Sequence, residues 1–540
     1  MAFWTYAGPD RCIFVRALGS TELAFYYDGH IDGTADTLIQ FAIRVSPDVS
    51  NCVAPENITR AWLSLKAQFP LLGATVQVHN SLPQLVVAEE RLRTTIPGEI
   101  ESHSISSTEQ AYSEAVAVTN AERQLSDNLL ARIIVLSRTD DTSNFSLMIQ
   151  VAHLITDGVG NVGLMKEFLD LLSAPDRHSR PDLESRLSLA VAYESLVPTL
   201  KMSVARQRWR RAAGQIICQM QEAKRTGGHA LPRSYGPIAT RLPARSGFFR
   251  THFSHPDSSH LLQNCREYGI TVGNALPVLA QVGLARVLCR RYVRGEISPE
   301  EWEFRKKQPY HNAGPMNVRP FLDKAWFQRG GHSNVSVNVG FFYFTLPFTP
   351  LGPGHLAPGD AVPELSELMS KNRFLLRCNR MKKMAAQFLH HPLFFEVNAS
   401  SVSRRIPLRK AAAAEWEADP DSLVVPGEVE RHNVSAIEQA NYGTVMSHGW
   451  STFGNDKGFP RKYPIHSAEP TLVLEKYQSF LHCRTGELYL GAGTYADQLH
   501  FSVFFDSNVY SADVIEEWLG EIQQAMHLYL SDAQAVVSKM

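Results

Sequence analysis

The sequence has few cysteines and no close pair of them. Its 540 residues include seven cysteines at wide spacing, without a CxxC pair. An odd number of scattered cysteines is neither a disulfide framework nor a zinc knuckle. We therefore expect reduced thiols, as in a cytosolic protein. The seven are Cys12, Cys52, Cys218, Cys265, Cys289, Cys378 and Cys483.

An excess of charge of either sign is also absent. Lys and Arg together number 53, and Asp and Glu number 54, so the formal net charge is −1. A protein that neutralises many backbone phosphates needs a strongly basic surface. The charge balance therefore argues against nucleic acid as a partner.

Long apolar runs are missing as well. No uninterrupted run reaches the roughly 18 apolar residues of a membrane-crossing helix. The first ten residues lack the basic and apolar segments of a secretory signal, and the C-terminal Val-Val-Ser-Lys-Met540 is neither a prenylation box nor a peroxisomal tripeptide. We expect a soluble cytoplasmic protein without a membrane span.

The sequence does have enough apolar residues for a large core. Hydrophobic residues make up 44% of the chain and charged residues 20%, which is typical of a globular protein. At this length a single core stops growing, so we expect two lobes, residues 1–230 and 231–540, with the segment 227–237 between them. A cleft between two lobes is the default active site.

One short motif stands in a distinctive setting. Residues 129–137 and 145–152 have the composition of strands and are separated by a polar turn segment, which predicts an antiparallel hairpin. The second strand leads directly into His153-Leu-Ile-Thr-Asp157-Gly158. Residues 159–172 then show helical periodicity. The motif is therefore predicted to lie on a strand-to-helix turn.

The three fixed positions of this motif suit base catalysis. An imidazole at a strand end can project into a cleft, and its ordinary pKa of about 6.5 suits removal of a proton from a hydroxyl. Asp157 could fix the turn by pairing with a cation or with backbone N–H groups, and Gly158 permits a backbone angle or close approach that a side chain would forbid.

Two other interpretations of the motif stay open at this point. His153 could be a hydrogen-bonded core histidine, with Asp157 and Gly158 forming an ordinary turn. A metal site is the third interpretation, but no second His or carboxylate lies at a matching helical spacing, so no metal is expected.

The segment Ala152 to Gly158 resembles the HxxxDG signature of the CoA-dependent acyltransferase superfamily. That superfamily includes chloramphenicol acetyltransferase, plant BAHD enzymes, fungal O-acetyltransferases and the condensation domains of peptide synthetases. The resemblance extends along nearly the whole chain, because several more segments follow the family's order. These are residues 62–72, 129–137, 269–274, 317–320, 486–490 and 501–505.

The resemblance implies a two-lobed α/β fold like that of chloramphenicol acetyltransferase, with mixed sheets and an active-site tunnel between the lobes. Acyl-CoA would be a co-substrate, with no bound cofactor, and the acceptor would carry a hydroxyl. His153 would act as general base in a direct ternary-complex transfer. Asp157 would be mainly structural and would pair with an arginine, for which Arg132 on the neighbouring strand is the candidate.

The same resemblance calls for groups that hold the donor and the developing oxyanion. The candidates for the CoA phosphates are Arg319 or the basic cluster Lys371 to Lys383, from which Lys382 and Lys383 are preferred. The oxyanion candidates are four residues of one segment, with Trp450 and Ser451 preferred: Ser447, Trp450, Ser451 and Thr452. A solvated helix face for the lysines and a surface loop for the oxyanion candidates stay open as alternatives.

Departures from the family pattern narrow the activity. Condensation domains usually have two consecutive histidines, whereas here Ala152 precedes His153, which favours O-acyl transfer from CoA. The DFGWG motif of plant BAHD enzymes is absent, as it is in fungal trichothecene O-acetyltransferases. We therefore expect a monomeric fungal acetyltransferase of secondary metabolism. The alternatives are a carrier-protein-dependent condensation enzyme and a non-catalytic binding relative.

Overall fold

The computed structural model describes residues 3–8, 12–46, 52–174, 176, 182–234, 244–349, 355–418, 435–441, 443–455, 459–465 and 467–531. Its strands are β1 (Thr5–Tyr6), β2 (Ile13–Ala17), β3 (Thr37–Val45), β4 (Thr75–His79), β5 (Leu82–Ala88), β6 (Ile100–Ile105), β7 (Ala131–Arg138), β8 (Asn144–Val151), β9 (Ser246–His252), β10 (Tyr310–Asn317), β11 (Val339–Leu346), β12 (Met446–Asn455), β13 (Lys462–Tyr463), β14 (Leu472–Leu481), β15 (Leu488–Tyr495) and β16 (Gln498–Asp506).

Helices lie between most of these strands. They are α1 (Ser20–Asp32), α2 (Pro55–Gln68), α3 (Glu89–Arg93), α4 (Thr108–Asn120), α5 (Gly158–Ser173), α6 (Leu183–Leu189), α7 (Val204–Ala223), α8 (His255–Glu267), α9 (Val272–Val293), α10 (Pro299–Arg305), α11 (Lys324–Gln328), α12 (Leu365–Leu368), α13 (Lys371–Leu389), α14 (Phe394–Ala418), α15 (Ala436–Ala440) and α16 (Ala512–Leu530).

The first six-stranded sheet has the order β13-β14-β3-β8-β7-β6. The predicted hairpin is confirmed, because β7 and β8 pair antiparallel with Ala131 opposite Val151. Alternate residues of β8 enter different cores: Ile149 packs with α2 and α5, and Met148 packs with α4 on the other face. Both faces of β8 are therefore covered, and its C-terminal end fixes where the motif begins.

The second six-stranded sheet has the order β11-β10-β12-β15-β16-β9. One face packs against α9 and α16, whose apolar residues belong to one of the two large buried clusters in the described part of the chain. Helix α9 is long and apolar enough to cross a membrane by length and composition, and 78% of its apolar window is buried inside the protein. Its apolar sequence is thus explained by a central position in this lobe.

The two sheets do not follow the chain strictly. β13 and β14 lie beyond residue 231, yet they complete the first sheet, where β14 pairs antiparallel with β3. A smaller four-stranded sheet, β1-β2-β5-β4, comes entirely from the early part of the chain. The predicted division at residues 230 and 231 stays a prediction, and residues 235–237 of the predicted connecting segment lie outside the described residues.

Candidate active site

His153 lies two residues after β8 ends, in the turn that leads to α5. Its side chain is half-buried, and its Nδ1 lies 2.8 Å from the backbone carbonyl oxygen of Thr156. Because a carbonyl oxygen can only accept, Nδ1 must carry the proton and donate it. In the neutral ring, Nε2 is then the nitrogen with a free lone pair, as a general base requires.

A short chain of side chains holds the Thr156 end of this turn. The Thr156 hydroxyl donates to Asn161 Oδ1 at 2.8 Å, and the Asn161 amide donates to the Thr37 hydroxyl at 3.2 Å. Thr37 begins β3, the strand beside β8. The carbonyl that orients His153 is therefore supported by both the helix and the sheet.

Phe25 of α1 covers one face of the His153 ring. The two ring centroids lie 3.8 Å apart with planes 9° from parallel, and the guanidinium of Arg484 lies over the Phe25 ring at 5.7 Å. Arg484 is held by the buried carboxylate of Asp28, to which its Nη2 donates at 2.8 Å. Stacking restricts the imidazole to one orientation.

The surroundings of His153 favour its neutral form. Burial lowers the pKa of His153, and the positive charge of Arg484 lowers that pKa further. Asp157 and the hydrogen bond to Thr156 oppose this decrease without cancelling it. The ring is therefore more strongly biased towards the base form at neutral pH than a free histidine.

Asp157 joins the motif turn to the segments that follow β10 and precede β11. Its Oδ1 accepts from the Gly160 amide at 2.9 Å and so caps α5. Its Oδ2 accepts from Arg319 Nη1 and from the Asn338 amide, each at 2.8 Å. Asp157 and Arg319 are 1% and 0% exposed. The predicted structural role of Asp157 thus has a physical basis in this buried ion pair.

Two sequence predictions about arginines are wrong. Arg132 does not pair with Asp157; it donates to Gln150 and Glu101, its neighbours across the first sheet. Arg319 cannot bind CoA phosphates from its present position, because it is fully buried and also donates to the carbonyls of Asn334 and Ser336. Arg132 was predicted because its strand neighbours the strand that leads into the motif. The actual partner of Asp157, Arg319, lies far along the sequence.

A second glycine, Gly160, lies two residues after Gly158. Gly158 is the first residue of α5 and has a helical backbone. At Gly160, by contrast, a Cβ would lie 2.9 Å from the Thr156 hydroxyl and 3.5 Å from Cα of Val335. The packing therefore favours glycine at position 160, and the role of Gly158 stays a prediction.

Trp450 and Thr452 are wrong as oxyanion candidates. The Trp450 ring packs against Phe342 and Phe344 in the core shared with α9, and Thr452 lies beside Gly273 of that helix. Side chains on a strand alternate between faces. Phe341 therefore lies on the opposite face of the sheet from Phe342, Phe344 and Trp450. The Phe341 ring lies 6.3 Å from Phe25, which covers His153, so Trp450 faces away from His153.

The other two donors of this segment have different positions. The Ser447 hydroxyl is already engaged, since it donates to the His229 carbonyl at 2.6 Å. Ser451 follows Trp450 and so lies on the opposite face of β12, the face that also carries Gly449 opposite Tyr489. Ser451 as an oxyanion donor stays a prediction.

The two lysine candidates lie on α13. Lys382 donates to the Gly269 carbonyl at 2.7 Å, while Lys383 lines a groove along the same helix. Both stay predictions for the CoA phosphates. Among the residues that the structure describes, no three His, Cys, Asp or Glu side chains are grouped so that they could hold a metal ion.

A narrow cleft lies beside the aromatic residues that lead to His153. Phe341 and Tyr343 of β11 line it, together with Phe388 at the end of α13 and Val397 of α14. Phe341, Phe25 and Arg484 have no local sequence signal that marks them as site residues. Phe25 and Phe341 become part of the site through the packing of α1 and β11, and Arg484 through its contact with the Phe25 ring.

Comparison with solved structures places this geometry in a known fold. The trichothecene 15-O-acetyltransferase from Fusarium sporotrichioides superposes with a TM-score of 0.68, at 13% identity over 98% of both chains. The condensation domain of the Monacolin K polyketide synthase superposes with a TM-score of 0.59, at 9% identity over 96% of this chain and 98% of that one. The starter condensation domain of rhizomide synthetase superposes with a TM-score of 0.56, at 11% identity over 96% of this chain and 94% of that one.

This chain has their fold. The mixed α/β class expected from the resemblance is confirmed across nearly the whole length. No family model matches the sequence, and no curated protein matches it significantly. The likeness is therefore one of structure, and the assignment of chemistry rests on the residues of the site.

Proposed function

We propose that this chain is an O-acyltransferase that moves an acyl group, acetyl in the simplest case, from acyl-CoA to a hydroxyl of a small molecule. The observation that carries the proposal is the 2.8 Å hydrogen bond from His153 Nδ1 to the Thr156 carbonyl, which leaves Nε2 as the base. A fold shared with an acetyltransferase and with condensation domains supports acyl transfer.

In the proposed reaction, His153 acts as the general base for the acceptor hydroxyl. His153 Nε2 takes the proton of the acceptor hydroxyl as its oxygen attacks the thioester carbonyl carbon. The C–O bond forms and the tetrahedral intermediate then loses the thiolate as the C–S bond breaks. The proton on Nε2 passes to the thiolate, so CoA-SH leaves and His153 returns to its starting state. Phe25 and Thr156 keep the ring in one orientation throughout.

The acceptor in this proposal is a hydroxylated secondary metabolite such as a trichothecene sesquiterpenoid. The 15-O-acetyltransferase whose fold spans 98% of both chains acts on that class of compound by its name. Ala152, in place of a second histidine, supports a CoA-linked donor over a carrier-protein donor. Lys382 and Lys383 are the sequence-predicted residues for the donor's phosphates.

The test offers the purified protein acetyl-CoA and a panel of trichothecene alcohols. We expect release of free CoA only when an acceptor alcohol is present, with an acetylated product detected by mass spectrometry. A His79→Ala variant, which changes an exposed histidine on β4, serves as the matched control for His153→Ala. Acyl transfer from carrier-protein thioesters but not from acetyl-CoA would contradict the proposal.

A further inference from the structure

Helix α13 carries a strong and unbalanced positive charge. Its nineteen residues contain six cations and no Asp or Glu. Three of the cations, Arg373, Arg377 and Arg380, are spaced by four and three residues and so share one face of the helix. Lys383 continues that face by one more turn. The cations are Lys371, Arg373, Arg377, Arg380, Lys382 and Lys383.

This face lines a groove of about 690 Å³. Arg373, Arg380 and Lys383 are exposed along it, and Leu376 and Met384 add apolar surface. Pro347, just after β11, forms the other wall. A concave site with several converging cations and some apolar lining is the usual form of a site for an anionic small molecule.

No carboxylate among the described residues neutralises the positive charge of Arg377. It is 9% exposed, and its guanidinium donates to three neutral acceptors: Gln281 Oε1 at 3.0 Å, the Pro347 carbonyl at 2.9 Å and the Phe348 carbonyl at 3.0 Å. Burial lowers the pKa of Arg377, and the charges of Arg373 and Arg380 lower it further. Adjacent cations therefore repel one another here.

The arginines of the adjoining helix α9 are paired with carboxylates. On α9, Arg286 pairs with Glu521 at 2.9 Å, Arg290 with Glu521 at 2.6 Å and Arg291 with Glu296 at 2.7 Å. In the described part of the chain, no carboxylate lies within ion-pair distance of Arg373, Arg377 or Arg380. Among the described residues, the α13 arginines therefore lack the carboxylate partners that the α9 arginines have.

The last turns of α13 line both the groove and the narrow cleft beside Phe341. Gln387 lines the groove, and the next residue, Phe388, lines the narrow cleft beside Phe341. The Phe341 ring lies 6.3 Å from Phe25, which is stacked on His153. A ligand with phosphates at one end and a reactive group at the other could follow α13 from its basic face to the cleft.

We propose that the face formed by Arg373, Arg377, Arg380 and Lys383 binds the phosphate groups of the acyl donor, an assignment that rests on the proposed function. Arginines present planar, bidentate donors to phosphate oxygens, which suits a ligand with several phosphates. Arg377, held by neutral acceptors, is the fixed member, and the exposed arginines on either side close on the ligand. Lys382 does not belong to this face.

The first measurement is binding of inorganic pyrophosphate and of CoA by calorimetry. We expect the double variant Arg373→Gln, Arg380→Gln to weaken both by at least about tenfold, since each lost arginine removes a charge-assisted contact. The matched control, Arg206→Gln with Arg208→Gln on exposed α7, removes the same charge elsewhere and should leave both affinities unchanged. Equal weakening by the two double variants would overturn the proposal.

The second measurement separates the donor from other phosphate ligands. It compares kcat/KM for acetyl-CoA with kcat/KM for the acetyl thioester of a short thiol without phosphates. The ratio of kcat/KM for acetyl-CoA to kcat/KM for the short thioester should fall about tenfold in the Arg373→Gln, Arg380→Gln variant. It should stay unchanged in the Arg206→Gln, Arg208→Gln control. An unchanged ratio would overturn the donor assignment. If the wild-type protein binds pyrophosphate yet transfers acetyl from neither thioester, the proposed function fails on its own.

Discussion

The guanidinium of Arg319 lies 2.8 Å from the carboxylate of Asp157, although 162 residues separate them in the sequence. Both side chains are almost completely buried. Since Asp157 also caps α5 through Gly160, one carboxylate connects the turn that carries His153 to the segments that follow β10 and precede β11.

Asp157→Asn should destabilise the protein by roughly 3–5 kcal/mol, because it leaves the Arg319 charge buried without its partner. Chemical denaturation measures this as a fall in the transition midpoint. Asp140→Asn is the matched control, since Asp140 forms an exposed ion pair with Arg138 and should change the midpoint little. Similar midpoints for the two variants would contradict the structural importance of the buried pair.

Gly160→Ala should lower both stability and activity. Alanine in a helix interior normally stabilises by up to about 1 kcal/mol relative to glycine. At Gly160, however, the new methyl would lie 2.9 Å from the Thr156 hydroxyl and displace the residue that orients His153. Gly520→Ala in α16 is the control, because nothing lies within 4 Å of its methyl position. Stabilisation at both positions, with full activity, would contradict the described packing.

Arg484→Gln should move the acidic limb of the kcat/KM profile to higher pH. The positive charge of Arg484 helps lower the pKa of His153, so removing it lets that pKa rise. The base is active only when neutral, and protonation then sets in at a higher pH. Arg484→Lys keeps the charge and should keep the limb near its wild-type position. An unchanged limb in Arg484→Gln would show that this charge does not act on His153.

The neutral tautomer of His153 can be observed directly. In protein with ¹⁵N-labelled histidine, above the pKa of the ring, we expect a protonated Nδ1 and an unprotonated Nε2, because the Thr156 carbonyl accepts the Nδ1 proton. The signal among the chain's 20 histidines is identified by its absence in His153→Ala. Protonation on Nε2 would leave no lone pair facing the substrate and would refute the assignment.

Local sequence patterns are sufficient to predict the elements around the motif turn. The β7–β8 hairpin, the turn at His153 and helix α5 follow from strand composition, turn residues and helical periodicity within some 45 residues. The same reasoning placed Asp157 as a structural residue. It could not identify Arg319 as the partner, because pairing across 162 residues depends on how the two lobes pack.

The prediction of Trp450 as an oxyanion donor is wrong for a related reason. A strand sequence predicts alternation, but which set of side chains faces the partner lobe depends on the neighbouring strands in the sheet. Here Phe342 and Phe344 draw Trp450 into the core beside α9. Phe25 and Arg484 were missed because residues from opposite ends of the chain meet only after folding.

The most direct test of the central claim is kcat/KM for acetyl transfer to an accepted alcohol by His153→Ala, with His79→Ala as control and circular dichroism to verify folding. Loss of the general base should lower kcat/KM by about 100-fold or more in His153→Ala. His79→Ala should match the wild type. A folded His153→Ala variant that retains most of its acetyl transfer would contradict the role of His153 as the base.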